Sequence, residues 1–195
     1  MPDLLDKNVY EYLSYVTGRL SSIVRYSTVK SITRQSVMEH IGSVAFISLV
    51  LSEYFNRHGM ENDTGKVVRL ALIHDVSETI SGDLPHDSKY SYGKISEGLR
   101  KHLGDLEEVT MAYSLKKLKD GKMSSALYSL FEEYNERKSI ESRIVKLADF
   151  YDVSLYTHQE MRLGNKSVYK EHAYATRRFN KMLKEIYSAQ KGKRN

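Results

Sequence analysis

The sequence predicts an all-α protein, and three observations carry that prediction. Apolar residues recur at three- and four-residue steps through most of the 195 positions, the spacing of one stripe on a helix. No segment alternates apolar and polar residues well enough for a half-buried strand. Only two prolines and eleven glycines interrupt the chain, which leaves long stretches free to be helical. The length suits one domain with a sizeable core. A single-domain helical bundle is expected over residues 1–187, followed by a basic disordered tail at 188–195.

Residues 3–22 hold Leu4, Val9, Leu13, Val16 and Leu20 at helical steps, which predicts the first helix. Ser21 to Gln35 is too polar for an element, and its Arg25, Lys30 and Arg34 make it a basic loop suited to an anion. Ser36-Val37-Met38-Glu39 is a capping box, in which Ser36 accepts from the Glu39 amide while the Glu39 carboxylate reaches back. A helix to about residue 57 follows, with His40 in its first turn. Asn62-Asp63-Thr64 begins a central helix that Gly82 stops near residue 81. Residues 84–104, with three glycines, are expected as short helices or a mobile loop, and Asp105 as the cap of a helix through Leu118. Further helices are expected over Met123–Asn135, Arg143–Leu163 and Val168–Tyr187.

Composition narrows the function. There is no cysteine, so neither a disulfide framework nor a thiolate zinc site is available. No apolar run approaches the ~20 residues of a membrane span, and the first residues lack a signal-peptide pattern, so a cytoplasmic protein is expected. The formal charge is +5, with part of the excess in Lys191-Gly192-Lys193-Arg194. Without a zinc-finger spacing or a basic stripe interleaved with aromatics, a nucleic-acid partner is not expected. A modest positive field equally attracts a small phosphorylated substrate.

The chain is organised around Ile73-His74-Asp75-Val76-Ser77-Glu78. On a continuous helix His74 and Glu78, four apart, lie one above the other, with Asp75 about 100° round. Imidazole and carboxylate in so apolar a segment are costly unless paired, by a capping hydrogen bond or by a divalent metal. Asp149, inside the apolar run Ile144 to Phe150, carries the same cost. Together His40, His74, Asp75 and Asp149 offer two imidazoles and two carboxylates from three helices. Such nitrogen and oxygen ligands suit Mn²⁺, Fe²⁺, Co²⁺, Ni²⁺ or Zn²⁺, and Mg²⁺ less well. Glu78 is placed to hold a water or pass its proton, and Asp83 to orient a substrate hydroxyl. His58, His102, His158 and His172 read as surface histidines, and Glu132-Glu133-Tyr134 as a solvated helix face.

His40, His74-Asp75 and Asp149 resemble the H…HD…D signature of the HD-domain metal-dependent phosphohydrolases. The match extends to Val37-Met38-Glu39-His40, Ala71 through Glu78, Ser81-Gly82-Asp83-Leu84-Pro85 and Val145-Lys146-Leu147-Ala148-Asp149. These runs are similar to the 5′-deoxynucleotidase branch, the YfbR-like proteins, from about Arg25 to Asn165. The resemblance implies an HD-type helical bundle with His40, His74, Asp75 and Asp149 as metal ligands. It implies Glu78 as the catalytic carboxylate, Asp83 as the sugar-binding residue, and Arg25 as the arginine that orients the phosphate. Tyr26 stands where the bacterial enzymes carry tryptophan, and His86, after Pro85, where a small residue is common; Tyr26, Pro85 and His86 complete the expected substrate contacts. The implied activity is a 5′-nucleotidase on (deoxy)nucleoside 5′-monophosphates, with a homodimer as the common assembly. A triphosphate hydrolase or phosphodiesterase on the same site, a nuclease, and a non-catalytic nucleotide-binding module are the alternatives.

Overall fold

The computed structural model describes residues 5–84 and 94–191, and among these the secondary structure is helical apart from one isolated antiparallel bridge, Val24 to Ser36. In chain order the helices are α1 (Lys7–Ser22), α2 (Val37–Arg57), α3 (Thr64–Ile73), α4 (Glu78–Ser81), α5 (Lys94–Leu115), α6 (Gly121–Glu136), α7 (Ile140–Arg162) and α8 (Tyr169–Lys191), with a 3₁₀ turn at Lys116–Leu118. No helix among the described residues is long and apolar enough to cross a membrane.

Several starts follow from the local chemistry read in the sequence. Asp6 caps α1 by accepting from the Asn8 and Val9 amides. At α2 the capping box forms: the Glu39 carboxylate accepts from the Ser36 amide at 2.6 Å, and Ser36 Oγ accepts from the Glu39 amide at 3.1 Å. Asp63 caps α3 through the Lys66 amide, and Ser139 caps α7 through the Ser142 amide. Gly82 (φ +71°) and Gly164 (φ +93°) end α4 and α7 in conformations that side chains disfavour.

The chain folds into two compact units. One gathers Met1–Thr28, Arg34–Glu39 and Asp75–Ser129. There α1 packs its buried Tyr12, Val16 and Leu20 toward α4, α5 and the 3₁₀ turn, and Arg19 Nε donates to the Thr79 carbonyl at 2.6 Å. The other gathers Val29–Thr33, His40–His74 and Leu130–Asn195. Its core contains Val44, Phe55, Val67, Leu70, Ile144 and Leu147, where α3 and α8 pack on α7. The loop piece Val29–Thr33 is fastened to α7 of that unit by Glu160, fully buried, which accepts from the Ile32 and Thr33 amides and from Asn165 Nδ2, each at 2.7 Å.

Three expectations need correction. The central helix does not run on to residue 81: α3 ends at Ile73, and the turn after it is held by 3₁₀-type bonds from Glu78 to Asp75 and from Thr79 to Val76. The physical cause lies in His74, whose Nδ1 takes the Ala71 carbonyl at 2.7 Å, an acceptor the helix would otherwise use for its next turn. The segment after 84 is not broken by its glycines where it is described. It forms one helix from Lys94, because Gly98 and Gly104 cost only about 1 kcal/mol each relative to alanine and no longer stop a helix with packed neighbours. Finally α8 continues through Lys191, four residues into the expected tail.

Candidate metal centre and substrate residues

The capping box fixes the start of α2 and so the place of His40, which projects into the core of its unit with no exposed surface. His74, 3% exposed, closes α3. Asp149, whose side chain is 13% exposed, comes from the middle of α7. The structure brings these three together: His40 Nε2 lies 3.3 Å from His74 Nε2 and 3.3 Å from Asp149 Oδ1. Asp75 follows His74 in the chain, and His40, His74 and Asp75 each offer a ligand atom within 4.8 Å of the others.

Hydrogen bonding on the far side of each ring places a proton on Nδ1. A carbonyl only accepts, so His74 Nδ1 carries the proton it gives to Ala71. His40 Nδ1 lies 2.6 Å from Asp152 Oδ2, an acceptor too. The two Nε2 atoms face each other, and His40 Nε2 also faces Asp149 Oδ1. Two imidazole nitrogens and a carboxylate oxygen that converge in a buried place suit a divalent cation bound by nitrogen and oxygen ligands. The donor set fits a metal of the Mn²⁺, Fe²⁺, Co²⁺, Ni²⁺ or Zn²⁺ kind.

The surroundings show what the sequence reading missed. Lys146 sits one helical turn before Asp149, with its Nζ 2.5 Å from Asp149 Oδ2. Burial pushes the Asp149 carboxyl up, but the Lys146 ammonium beside it prevails, and the group is held well below the usual carboxylate range. Burial likewise lowers Lys146, and Asp149 more than reverses that. Asp152 stands one turn after Asp149, and Ser43 Oγ donates to its second oxygen. The spacing 146, 149, 152 on one helix was the signal available for both residues.

Glu132-Glu133-Tyr134 is only partly a solvated face. Glu132 is exposed, but Glu133 pairs with Lys66 at 3.0 Å, and Tyr134 is buried with its ring edge-on to His74, centroids 5.4 Å apart. An aromatic ring offers His74 apolar surface that charged neighbours cannot, which explains the burial. The Arg137 guanidinium, on a backbone of φ +58°, covers the Tyr134 ring at 3.3 Å. Of the four other histidines, His172 is half-buried and 3.0 Å from Thr157 Oγ1, while His58, His102 and His158 are exposed.

The residues expected to touch substrate belong to the other unit. Arg25 and Tyr26 follow the Val24–Ser36 bridge, and the Arg25 amide donates to the Gln35 carbonyl at 2.9 Å. Tyr26 takes a left-handed backbone, φ +58°, and its amide donates to Asp83 Oδ2 at 3.0 Å. A tyrosine held there costs on the order of 1 kcal/mol, which the Asp83 bond helps to offset. Glu78 opens α4 and is half-buried. Pro85 and His86 lie outside the described residues.

A family model described as 5′-deoxynucleotidase YfbR-like matches residues 11–190. A 5′-deoxynucleotidase of Vibrio cholerae is 29% identical over 172 residues, covering 88% of this chain and 84% of that protein. One of Yersinia pestis is 30% identical over 149 residues, covering 76% and 73%. A conserved hypothetical protein of Pyrococcus furiosus, of known structure, superposes with a TM-score of 0.66 at 27% identity, over 92% of this chain and 99% of that one. An HD-domain phosphohydrolase from Listeria innocua shares the fold, with a TM-score of 0.72 at 21% identity, over 94% and 82%.

Proposed function

Because the chain belongs to the 5′-deoxynucleotidase YfbR-like family, we propose that it is a metal-dependent phosphomonoesterase releasing phosphate from nucleoside 5′-monophosphates, deoxynucleotides included. The observation that carries this reading is the meeting of His40 Nε2, His74 Nε2 and an Asp149 oxygen, an acceptor cluster that suits a cation. The curated relatives are themselves named 5′-deoxynucleotidases.

His40, His74, Asp75 and Asp149 would hold the metal. Bound there, a divalent transition metal supplies a Lewis acid for the phosphoryl oxygen and a water of lowered pKa. Glu78 takes the proton of the attacking water, and Arg25 offsets the charge that develops on the equatorial phosphoryl oxygens. Asp83, whose Oδ2 accepts from the Tyr26 amide, also accepts from a sugar hydroxyl. Tyr26, Pro85 and His86 complete the substrate contacts. One domain over residues 1–187, a cytoplasmic location and a homodimer complete the proposal.

The test is a phosphate-release screen over ribo- and deoxynucleoside 5′-monophosphates, repeated with Mn²⁺, Co²⁺, Ni²⁺, Zn²⁺ and Mg²⁺. Orthophosphate and nucleoside as the only products support the reading. Pyrophosphate or triphosphate from nucleoside triphosphates would replace it with a triphosphate hydrolase, and opening of cyclic nucleotides with a phosphodiesterase. Tight nucleotide binding without turnover under any metal would leave a binding module.

A further inference from the structure

The His40 ring is held from both sides by α7. Its Nε2 faces Asp149 at 3.3 Å, and its Nδ1 faces Asp152 Oδ2 at 2.6 Å. The Asp152 side chain is 4% exposed and His40 not at all, so water does not compete for that bond. Ser43, one turn along α2 from His40, donates to the second Asp152 oxygen. Asp152 is thus pinned by α2 while it pins a side chain of α2. A core carboxylate is costly to keep unless such partners meet it, and the sequence resemblance assigns it no role.

We propose that Asp152 is a positioning residue of the metal centre: by accepting the Nδ1 proton of His40 it keeps Nε2 bare, orients the ring toward Asp149, and makes the imidazole a stronger ligand. This rests on the reading of His40 as a ligand. The physical warrant is general, since a histidine whose far nitrogen donates to a carboxylate is locked in one tautomer and is more basic at the other nitrogen. The two histidines differ in this respect. His74 gives its Nδ1 proton to a neutral carbonyl, whereas His40 gives it to a carboxylate. His40 is therefore the more electron-rich of the pair, and Asp152 sets that difference.

The experiment compares the full chain with Asp152→Asn, which keeps the shape of the side chain, and with Asp152→Ala. Two quantities are read on each folded protein: the Zn²⁺ and Mn²⁺ dissociation constants by calorimetry, and the protonation of His40 Nδ1 by ¹⁵N nuclear magnetic resonance of the metal-free form. The expected result is a dissociation constant weakened about 10- to 100-fold in Asp152→Asn. His40 Nδ1 is expected to carry a proton in the unmodified protein and to lose full occupancy in the variant. A purely structural role would lower the melting temperature of the metal-free variant and leave the dissociation constant of its folded form unchanged, which overturns the proposal. A bare Nδ1 in the unmodified protein overturns it too, while the metal centre itself stands. If the unmodified protein binds neither metal, the reading of the centre falls and the proposal falls with it. Should Asp152→Ala fail to fold, Asp152→Asn decides alone.

Discussion

His40 Nε2 and His74 Nε2 face each other across 3.3 Å although they are thirty-four residues apart in the chain, and each ring gives its other nitrogen to an acceptor. The arrangement suits a cation because two imidazole nitrogens and an Asp149 oxygen converge in a buried place. His74→Ala is expected to remove stoichiometric Mn²⁺ or Zn²⁺ from the purified protein, measured by elemental analysis, and with it all phosphate release. Full activity in that variant would refute the centre.

Asp149 carries a second burden, the charge of Lys146. Removing the carboxylate leaves an ammonium in a mostly buried place without its partner. Asp149→Ala is therefore expected to destabilise even the metal-free protein, by up to about 3 kcal/mol, since breaking a largely buried pair strands the survivor. Urea denaturation in the presence of chelator reads this directly. Asp149→Ala combined with Lys146→Met should recover much of the loss without restoring metal binding.

Glu78 belongs to the turn beyond α3 and opens α4. In the proposed role it handles a proton and holds no metal. Glu78→Gln is expected to keep the metal content of the unmodified protein while its turnover falls roughly 10²-fold or more, the usual scale for a general acid–base group. Loss of metal in that variant would make Glu78 a ligand instead.

The helices were legible in the sequence because capping residues and apolar periodicity are local signals. Asp6, Ser36, Asp63 and Ser139 start their helices by bonds spanning two or three residues, and each can be read without knowing the fold. The end of α3 was not legible, since it depends on the His74 ring taking the Ala71 carbonyl, a choice that periodicity does not reveal. The same holds within the site. His40, His74 and Asp149 are chemically conspicuous in their apolar surroundings, whereas Asp152 and Tyr134 acquire meaning only from the rings they touch. Lys146 likewise acquires meaning only from the Asp149 carboxylate beside it.

Glu160 offers a test by pH away from the metal. Burial pushes its carboxyl up, but hydrogen bonds from Thr33, Asn165 and the Ile32 amide prevail and bring it from the ordinary 4.5 down to about 2. The unfolded chain then binds the extra proton first. The stability that Glu160 contributes is present in full above about 4.5 and is lost as the pH falls toward 2. Thermal melts of the unmodified protein and of Glu160→Gln should differ most near neutral pH and converge in acid. A gap that stays constant down to the acid limit would mean the bonds do not depend on the charge.

Of the two Asp149 oxygens, Lys146 occupies Oδ2 at 2.5 Å, and Oδ1 is the one beside the His40 nitrogen. A carboxylate engaged in this way presents a single oxygen rather than a chelating pair. Calcium, which prefers many oxygens and often takes carboxylates two atoms at a time, gains little from such a partner. With Asp149 as a ligand, as proposed, the lysine would leave it one oxygen to give, which favours small ions content with few ligands over the larger alkaline-earth ion.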